Sequence, residues 1–460
     1  MMTRKLPIIA IATAPGRAGV GVIRISGPQL LPMAKTLFHR VLEPRQAQLL
    51  SLRDGGGELI DQLIAIYFAA PASFTGEDVL ELQCHGGPQL LELVMKRCLE
   101  LGKDQGLVIA EPGEFSLRAY LNNKIDLAQA EAIADLIDAQ SEAAALGAAR
   151  SLQGAFSNDI DSLIEEITQL RILVESTLDF PEEEIEFLES AQARERLSAV
   201  MKKLYALREG AKQGKILRDG IQLVLAGAPN VGKSSLLNRL AGEEVAIVTP
   251  IAGTTRDRVR ESITVGGVPM HIIDTAGLRE TTDLVEGKGI ERSWEAIREA
   301  DLVIFLRDPS ASDPLEAVYA LELRAQILNA LPPKCPILEV NNKSDLLDKG
   351  TTKKDENQIL LISAKTGEGI EALKQQILKS VGWGGSQEGV IVARRRHLDC
   401  LDRTATHLDQ SQKFAADGNI SLELFAEELR LAQDQLGQIT GKLLPDDLLG
   451  KIFSQFCIGK

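Results

Sequence analysis

The run LVLAGAPNVGKSSLLNRL, residues 223–240, constrains this chain more than any other stretch. An apolar, strand-like segment leads into Gly227, four residues follow, and Gly232-Lys233-Ser234 open an amphipathic helical pattern. This is a Walker A loop in the strand–loop–helix setting that it requires. Its glycines let backbone N–H groups turn towards a phosphate, and the helix behind adds the positive end of its dipole. Asn230, Val231, Gly232, Lys233, Ser234 and Ser235 are therefore assigned to the phosphates. Lys233 reaches the outer phosphates and Ser234 ligates Mg²⁺. Taken alone, the stretch competes with a chance glycine-rich turn.

Further motifs follow in order and make that alternative negligible. IIDTAGL at 272–278 reads as a strand ending on Asp274, placed to hold the Mg²⁺ shell, with Gly277 free to approach the γ-phosphate. AGTTRD at 252–257 supplies Thr255 as a second hydroxyl ligand for Mg²⁺. VNNKSD at 340–345 presents Asn342, Lys343 and Asp345. A carboxylate there accepts from both the ring N–H and the amino group of guanine, and such sites reject mismatched bases by about 10⁴ or more. ISAKTGEG at 362–369 follows a strand and carries Ser363, Ala364 and Lys365, with the Ala364 N–H aimed at the guanine carbonyl. The segment reads as a GTPase domain. Leu278 stands where a Ras-like enzyme places its water-orienting glutamine, and no arginine stands out as an intrinsic finger. Glu280 and Glu286 are the acidic candidates downstream, and Asn230 is a candidate oxygen ligand for a monovalent cation.

With 460 residues the chain is too long for one core, so two to four domains are expected. The strand–helix alternation of a parallel α/β sheet begins near 218, and helical texture lies on both sides of it. Leu163, Ile167, Leu170 and Val174 form one apolar stripe, and Leu422, Phe425, Leu429, Ala432, Leu436 and Ile439 form another. This pattern predicts one helical domain interrupted by the α/β domain. Residues 1 to about 120 mix β-rich runs with one helical stretch near 88–101. The formal charge of −14 counts against nucleic acid as a partner on average, although VARRRHLD at 392–399 is a dense basic cluster, more often a solvated helix face than a binding patch. Five scattered cysteines argue against a disulfide framework and for a reducing cytosol, so a cytoplasmic location is expected. No apolar run reaches membrane-span length.

The flanks carry a resemblance. ATAPGRAGVGVIRISG, SFTGEDVLELQCHGG, PGEFSLRAYLNNKIDLAQAEAIADLIDA, GAPNVGKSSLLNRL, IAGTTRD, DTAGLRE, ARRRHL and the terminal FCIGK are similar to segments of the MnmE (TrmE) family of tRNA-modification GTPases. The resemblance spans the whole chain. It implies a multidomain fold: an α+β folate-binding and dimerising domain at 1–121, and a discontinuous helical domain at 122–217 and 381–460. Between the helical parts it implies an inserted Ras-like P-loop G domain with a mostly parallel sheet at 218–380. It implies a K⁺ ion in place of the arginine finger when two G domains meet, with Asn230, Thr249, the Ile251 carbonyl and Thr254 as its ligands. Glu286 then orients the attacking water through a second water. Arg24, Glu81 and Lys124 are carried over as residues that hold a 5-formyl- or methylene-tetrahydrofolate. The CIGK end folds back towards them, so that Lys460 contacts the folate and Cys457 lies near the one-carbon donor. Cys457 is either a nucleophile or a small buried residue that does no covalent chemistry.

The family reading is an enzyme that acts as a homodimer. With MnmG, an FAD- and NADH-dependent partner in a heterotetramer, it installs an aminomethyl or carboxymethylaminomethyl group at carbon 5 of the wobble uridine of certain tRNAs. The competing reading is a GTP-operated ribosome-assembly factor without base chemistry, since a nucleotide site does not fix the downstream task. Such a factor should carry an RNA-binding module such as a KH domain, and no such module is recognisable in the sequence.

Overall fold

The computed structural model describes residues 6–179, 193–243, 261–274, 291, 293–310, 314–347, 359–385, 389–416, 422–442 and 446–459. The chain divides into two compact units. One comprises Met1–Ala134, Leu152–Arg194 and His407–Lys460, and the other Asp135–Ser151 and Glu195–Thr406.

The first unit begins with six strands, β1 (Ile8–Ile11), β2 (Ala18–Gly27), β3 (Gln48–Arg53), β4 (Leu59–Phe68), β5 (Asp78–Gly86) and β6 (Val108–Ile109). They form one sheet in the order β3-β4-β5-β2-β1-β6, antiparallel except for the β1–β6 pair. Along β4 the buried residues Leu63, Ala65 and Tyr67 alternate with more exposed ones, the period of a half-covered strand. Helices α1 (Leu30–Phe38) and α2 (Pro88–Gly102) supply the cover through Leu30, Met33, Leu37, Leu91, Val94 and Cys98. A Cβ on Gly21 would stand 2.6 Å from Leu91, so the glycine lets α2 lie close on the sheet. The other face carries Arg24 and Glu81.

Helices α3 (Glu114–Leu121) and α4 (Leu127–Ile137) follow, and α6 (Ala155–Asp179) packs lengthwise on α12 (Leu422–Thr440). Both stripes expected from the sequence are buried here. Each Leu, Ile, Val or Phe side chain among them contributes about 1.5–3 kcal/mol on leaving water, which holds together two helices more than 240 residues apart in the chain. Gln433 fixes their register: it accepts from Arg171 at 2.7 Å and donates to Thr168 at 2.6 Å. The helical part is thus discontinuous in sequence. A final helix, α13 (Asp446–Phe453), brings Phe453 and Phe456 against Leu127, Ala130, Leu117 and Tyr120.

The second unit holds β7 (Ile221–Gly227), β8 (Glu261–Val265), β9 (Val268–Asp274), β10 (Leu302–Arg307), β11 (Ile337–Asn341) and β12 (Leu360–Leu361). Their order is β12-β11-β10-β7-β9-β8, parallel apart from the β8–β9 hairpin. That hairpin turns on Gly266 and Gly267, both with positive φ. Successive residues of β7 serve two cores. Leu223 and Leu225 pack with α8 (Lys233–Glu243) and α10 (Ile370–Ser380), while Val224 and Ala226 face α9 (Pro314–Ala330). Burial on both faces explains the unbroken apolar run at 223–226. Helices α5 (Glu142–Leu152), α7 (Ala193–Asp219) and α11 (Arg395–Ala416) complete the helical elements that position the sites.

Candidate functional site

The carboxyl ends of β7, β10 and β11 meet at one edge of the parallel sheet, where such folds bind ligands. Gly227 ends β7 at φ +148°, and a Cβ there would lie 2.4 Å from the Leu306 carbonyl. Asn230 takes a left-handed backbone (φ 62°) at the exposed tip of the loop. At Gly232 (φ +98°) a Cβ would reach within 2.2 Å of the Asn342 side-chain nitrogen. A side chain at either glycine would collide with Leu306 or Asn342, so glycine keeps the tight backbone turn with which such a loop cradles a phosphate. Lys233, the first residue of α8, donates Nζ to the Gly227 and Ala228 carbonyls at 2.9 and 3.0 Å. Val231 is buried, whereas Ser234 and Ser235 are exposed.

Asn342 ties the phosphate loop to the base-recognition segments. Only 2% exposed, it donates Nδ2 to the Val231 carbonyl at 2.8 Å and accepts from the Ala364 N–H at 2.9 Å. The Ala364 N–H, expected to meet the guanine carbonyl, is here donated to Asn342 instead. Ser363 donates Oγ to Asp345 Oδ1 at 2.6 Å, which aims the carboxylate and leaves Oδ2 for a ligand. Lys343, at φ 65°, pairs with Asp308 Oδ2 at 2.6 Å. Burial alone would raise the Asp308 carboxyl, but hydrogen bonds from Lys343 and Ser310 outweigh it and hold the group below its ordinary value. From α8, Arg239 donates to the Ala364 and Lys365 carbonyls at 3.2 and 2.5 Å. Asp308 and Arg239 were not among the sequence candidates. The position of Asp308 just past the end of β10 was its only signal.

Asp274 ends β9 in register with Leu225. Thr249, Ile251, Thr254, Thr255, Gly277, Glu280, Glu286 and Lys460 lie outside the described residues.

A second constellation lies in the first unit. Arg24 on β2 and Glu81 on β5 are register partners, and their side chains pair at 2.8 Å with one Glu81 oxygen left over. The Arg24 guanidinium lies 5.8 Å from the Phe74 ring centroid and 5.9 Å from that of Phe115. Lys124 bonds the Pro71 carbonyl at 3.1 Å and packs on Gly76, so it borders the same 71–77 loop. The C-terminal run arrives here too. Gly113 N–H donates to the Cys457 carbonyl at 3.3 Å, and Arg24 donates to the Gly459 carbonyl at 3.4 Å. Gly459, at φ +94°, lies so close to β1 that a Cβ would sit 2.6 Å from the Ile11 carbonyl. Cys457 is exposed rather than buried. Arg24, Glu81, Lys124 and the chain end thus gather around one loop. Phe74 and Phe115, not among the expected site residues, sit within SFTGEDVLELQ and PGEFSLRAYL, where an aromatic two residues from a glycine is the available signal.

The basic cluster at 394–397 turns partly inward. Arg394 donates to Asp135 Oδ1 at 2.8 Å, beside an Arg218 bond to the same oxygen at 2.7 Å. His397 is buried, and its ring accepts from the Arg394 N–H at 3.1 Å, capping α11. Arg395 stays exposed. The cluster is therefore chiefly structural.

Comparison with known proteins identifies the family. Residues 7–124 match the model described as GTP-binding protein TrmE N-terminus, and residues 127–457 match the MnmE helical domain. A relative from Polynucleobacter asymbioticus, named tRNA modification GTPase MnmE, is 77% identical, with 100% of each chain covered. Proteins of the same name from Bordetella parapertussis and Cupriavidus metallidurans are 55% and 51% identical, again over 100% of both chains. Matched by the family's models from Pro7 to Cys457, and sharing more than half its residues with these relatives end to end, the chain belongs to the MnmE (TrmE) family.

Proposed function

We propose that this protein is a GTP hydrolase whose turnover drives modification of tRNA. With MnmG it installs the aminomethyl or carboxymethylaminomethyl group at carbon 5 of the wobble uridine, drawing the carbon unit from a tetrahydrofolate. The nucleotide end of this reading rests on the glycine cradle, on Asn342 bridging loop and base segments, and on the aimed Asp345 carboxylate. Helix amides and Lys233 take the phosphate charge, and Asp345 selects guanine. Ser234, with Thr255 and Asp274, holds Mg²⁺, which supplies charge neutralisation across the phosphates. The exposed, left-handed Asn230 fits a K⁺ ligand; this reading assigns Thr249, the Ile251 carbonyl and Thr254 to the same ion and Glu286 to the attacking water.

The observation that carries the modification half is the return of the C-terminal run to the Arg24–Glu81 pair. Glu81 has an oxygen for a pterin's amino and ring N–H groups, Arg24 is a donor fork, and Phe74 offers a ring face, so the donor set fits a folate. The open face of the same sheet exposes Leu49 (69%) opposite Ile64 (37%), which supports a second copy covering it in a homodimer. No described helix is long and apolar enough to cross a membrane. Acting on tRNA, the protein of this reading works in the cytoplasm.

The test is reconstitution with MnmG, a folate donor, GTP and unmodified tRNA. Modified wobble uridine is expected, and uridine left unchanged rejects the reading. In the same system K⁺ should raise GTP turnover over Na⁺ by about tenfold or more, equivalent to about 1.4 kcal/mol of barrier. Equal rates in the two salts would remove the K⁺ assignment.

A further inference from the structure

Behind Arg24 lies a polar layer that no motif reading assigns. Arg24 and Ser26 are two residues apart on β2 and point to the same face. Ser26 is fully buried, and its hydroxyl lies 2.7 Å from Thr75 Oγ1 and donates to Glu77 Oε2 at 2.9 Å. That Glu77 oxygen also accepts from Arg118 NH1 at 2.9 Å. Arg118, on α3 and 4% exposed, donates its NH2 to Glu114 and to the Leu6 carbonyl, both at 2.8 Å. From the next turn, Asn122 donates to the Thr75 carbonyl at 2.7 Å. Ser73 closes the loop on itself by bonding the Glu77 carbonyl. Both sides of Phe74 are thus pinned, and the 36% exposed ring of Phe74 lies beside the Arg24 guanidinium.

We propose that Arg118 is a positioning residue for the ligand site. Through Glu77 it holds the 73–77 loop, and through Phe74 it sets the plane in which Arg24 presents its donors. The Phe74 ring, 5.8 Å from the guanidinium carbon and within cation–π reach, limits where the Arg24 fork can turn, whereas without that wall the fork rotates more freely about its long stem. Phe115, three residues before Arg118 on α3, forms the second, fully buried wall. One buried cation therefore ties the fixed wall, the loop wall and the segment entering β1 into a single unit. A lysine keeps the charge but has no planar fork with which to serve Glu77, Glu114 and Leu6 at once.

The inference deepens the folate reading of Arg24 and Glu81 and rests on it. The test titrates 5-formyltetrahydrofolate into the full chain by calorimetry, for wild type, Arg118→Lys and Glu77→Gln. Alongside, fluorine NMR follows a fluorinated phenylalanine at Phe74. Arg118→Lys should weaken the folate tenfold or more, shift the Phe74 resonance and leave GTP turnover at the wild-type rate. Glu77→Gln, which keeps an acceptor for Arg118, should lie between the two. If Arg118 serves stability alone, the variant melts earlier, yet the folded protein keeps wild-type affinity and an unshifted Phe74 resonance. That result overturns the proposal. Should Arg118→Lys fail to fold, an unshifted resonance in Glu77→Gln overturns it equally. If wild type binds no folate, the folate reading fails on its own, and the Phe74 resonance still decides whether Arg118 sets the loop.

Discussion

Asp345→Asn is expected to lower GTP affinity by about 10⁴-fold, about 5.5 kcal/mol, and to transfer the preference to xanthosine triphosphate. The argument is one of donors and acceptors. Guanine offers a ring N–H and an amino group side by side, and a carboxylate accepts both. Asparagine replaces one acceptor with an NH₂ that faces the guanine amino group, whereas xanthine carries a carbonyl there. Ser363 Oγ, 2.6 Å from Oδ1, limits rotation of the side chain, so the mismatch is not relieved by turning it. Asn342 and the phosphate cradle are untouched, which confines the effect to the base. Competitive nucleotide binding is the measurement, followed by turnover of each triphosphate. Undiminished GTP affinity would show that Asp345 does not read the base.

The second large effect should come from Gly459→Ala. A methyl group there meets the Ile11 carbonyl at 2.6 Å, and the φ of +94° is itself unfavourable for any L side chain by about 1–2 kcal/mol. Both costs fall on the docked tail alone, because an undocked tail relaxes. Phe453 and Phe456 remain packed on Leu127 and Ala130, so the helix before the tail stays in place. GTP turnover should therefore match wild type, while wobble-uridine modification falls at least tenfold, the ratio that 1.4 kcal/mol commands. Nucleoside analysis of tRNA from cells carrying only the variant provides the readout, and normal modification would reject a docked tail. Cys457→Ser in the same assay separates two roles for the exposed thiol. A nucleophile loses modification outright with GTP turnover intact, whereas a spectator retains both.

Legibility in the sequence tracked how local each feature is. Gly227, Gly232 and Lys233 lie within seven consecutive positions, and the loop conformation follows from residues that alone tolerate it. The helical stripes were legible for the same reason, since spacing of three and four places side chains on one face. Asn342 shows the boundary. Its motif marked it as part of the base segment, but its two bonds, to Val231 and Ala364, make it a brace between loops more than 100 residues apart at one end. Arg239 and Asp308 carried almost no signal, because a lone arginine on a helix and an aspartate after a strand are commonplace on surfaces. Arg394 and His397 read as a solvated face because charge composition does not reveal that a buried Asp135 stands opposite.

By itself the sequence determined the kinds of unit present and the chemistry of the phosphate loop, because backbone torsion preference and hydrophobic period act over a few residues. The family resemblance already grouped Arg24, Glu81 and the CIGK end, but only the tertiary structure decided that Phe74 stands beside Arg24 and that Arg118 backs the loop through Glu77. Pairing of β2 with β5, the packing of α3, and the return of the chain after α12 bring them together. Those are long-range contacts, selected by which buried surfaces fit and not by any local preference of the residues that end up in the site.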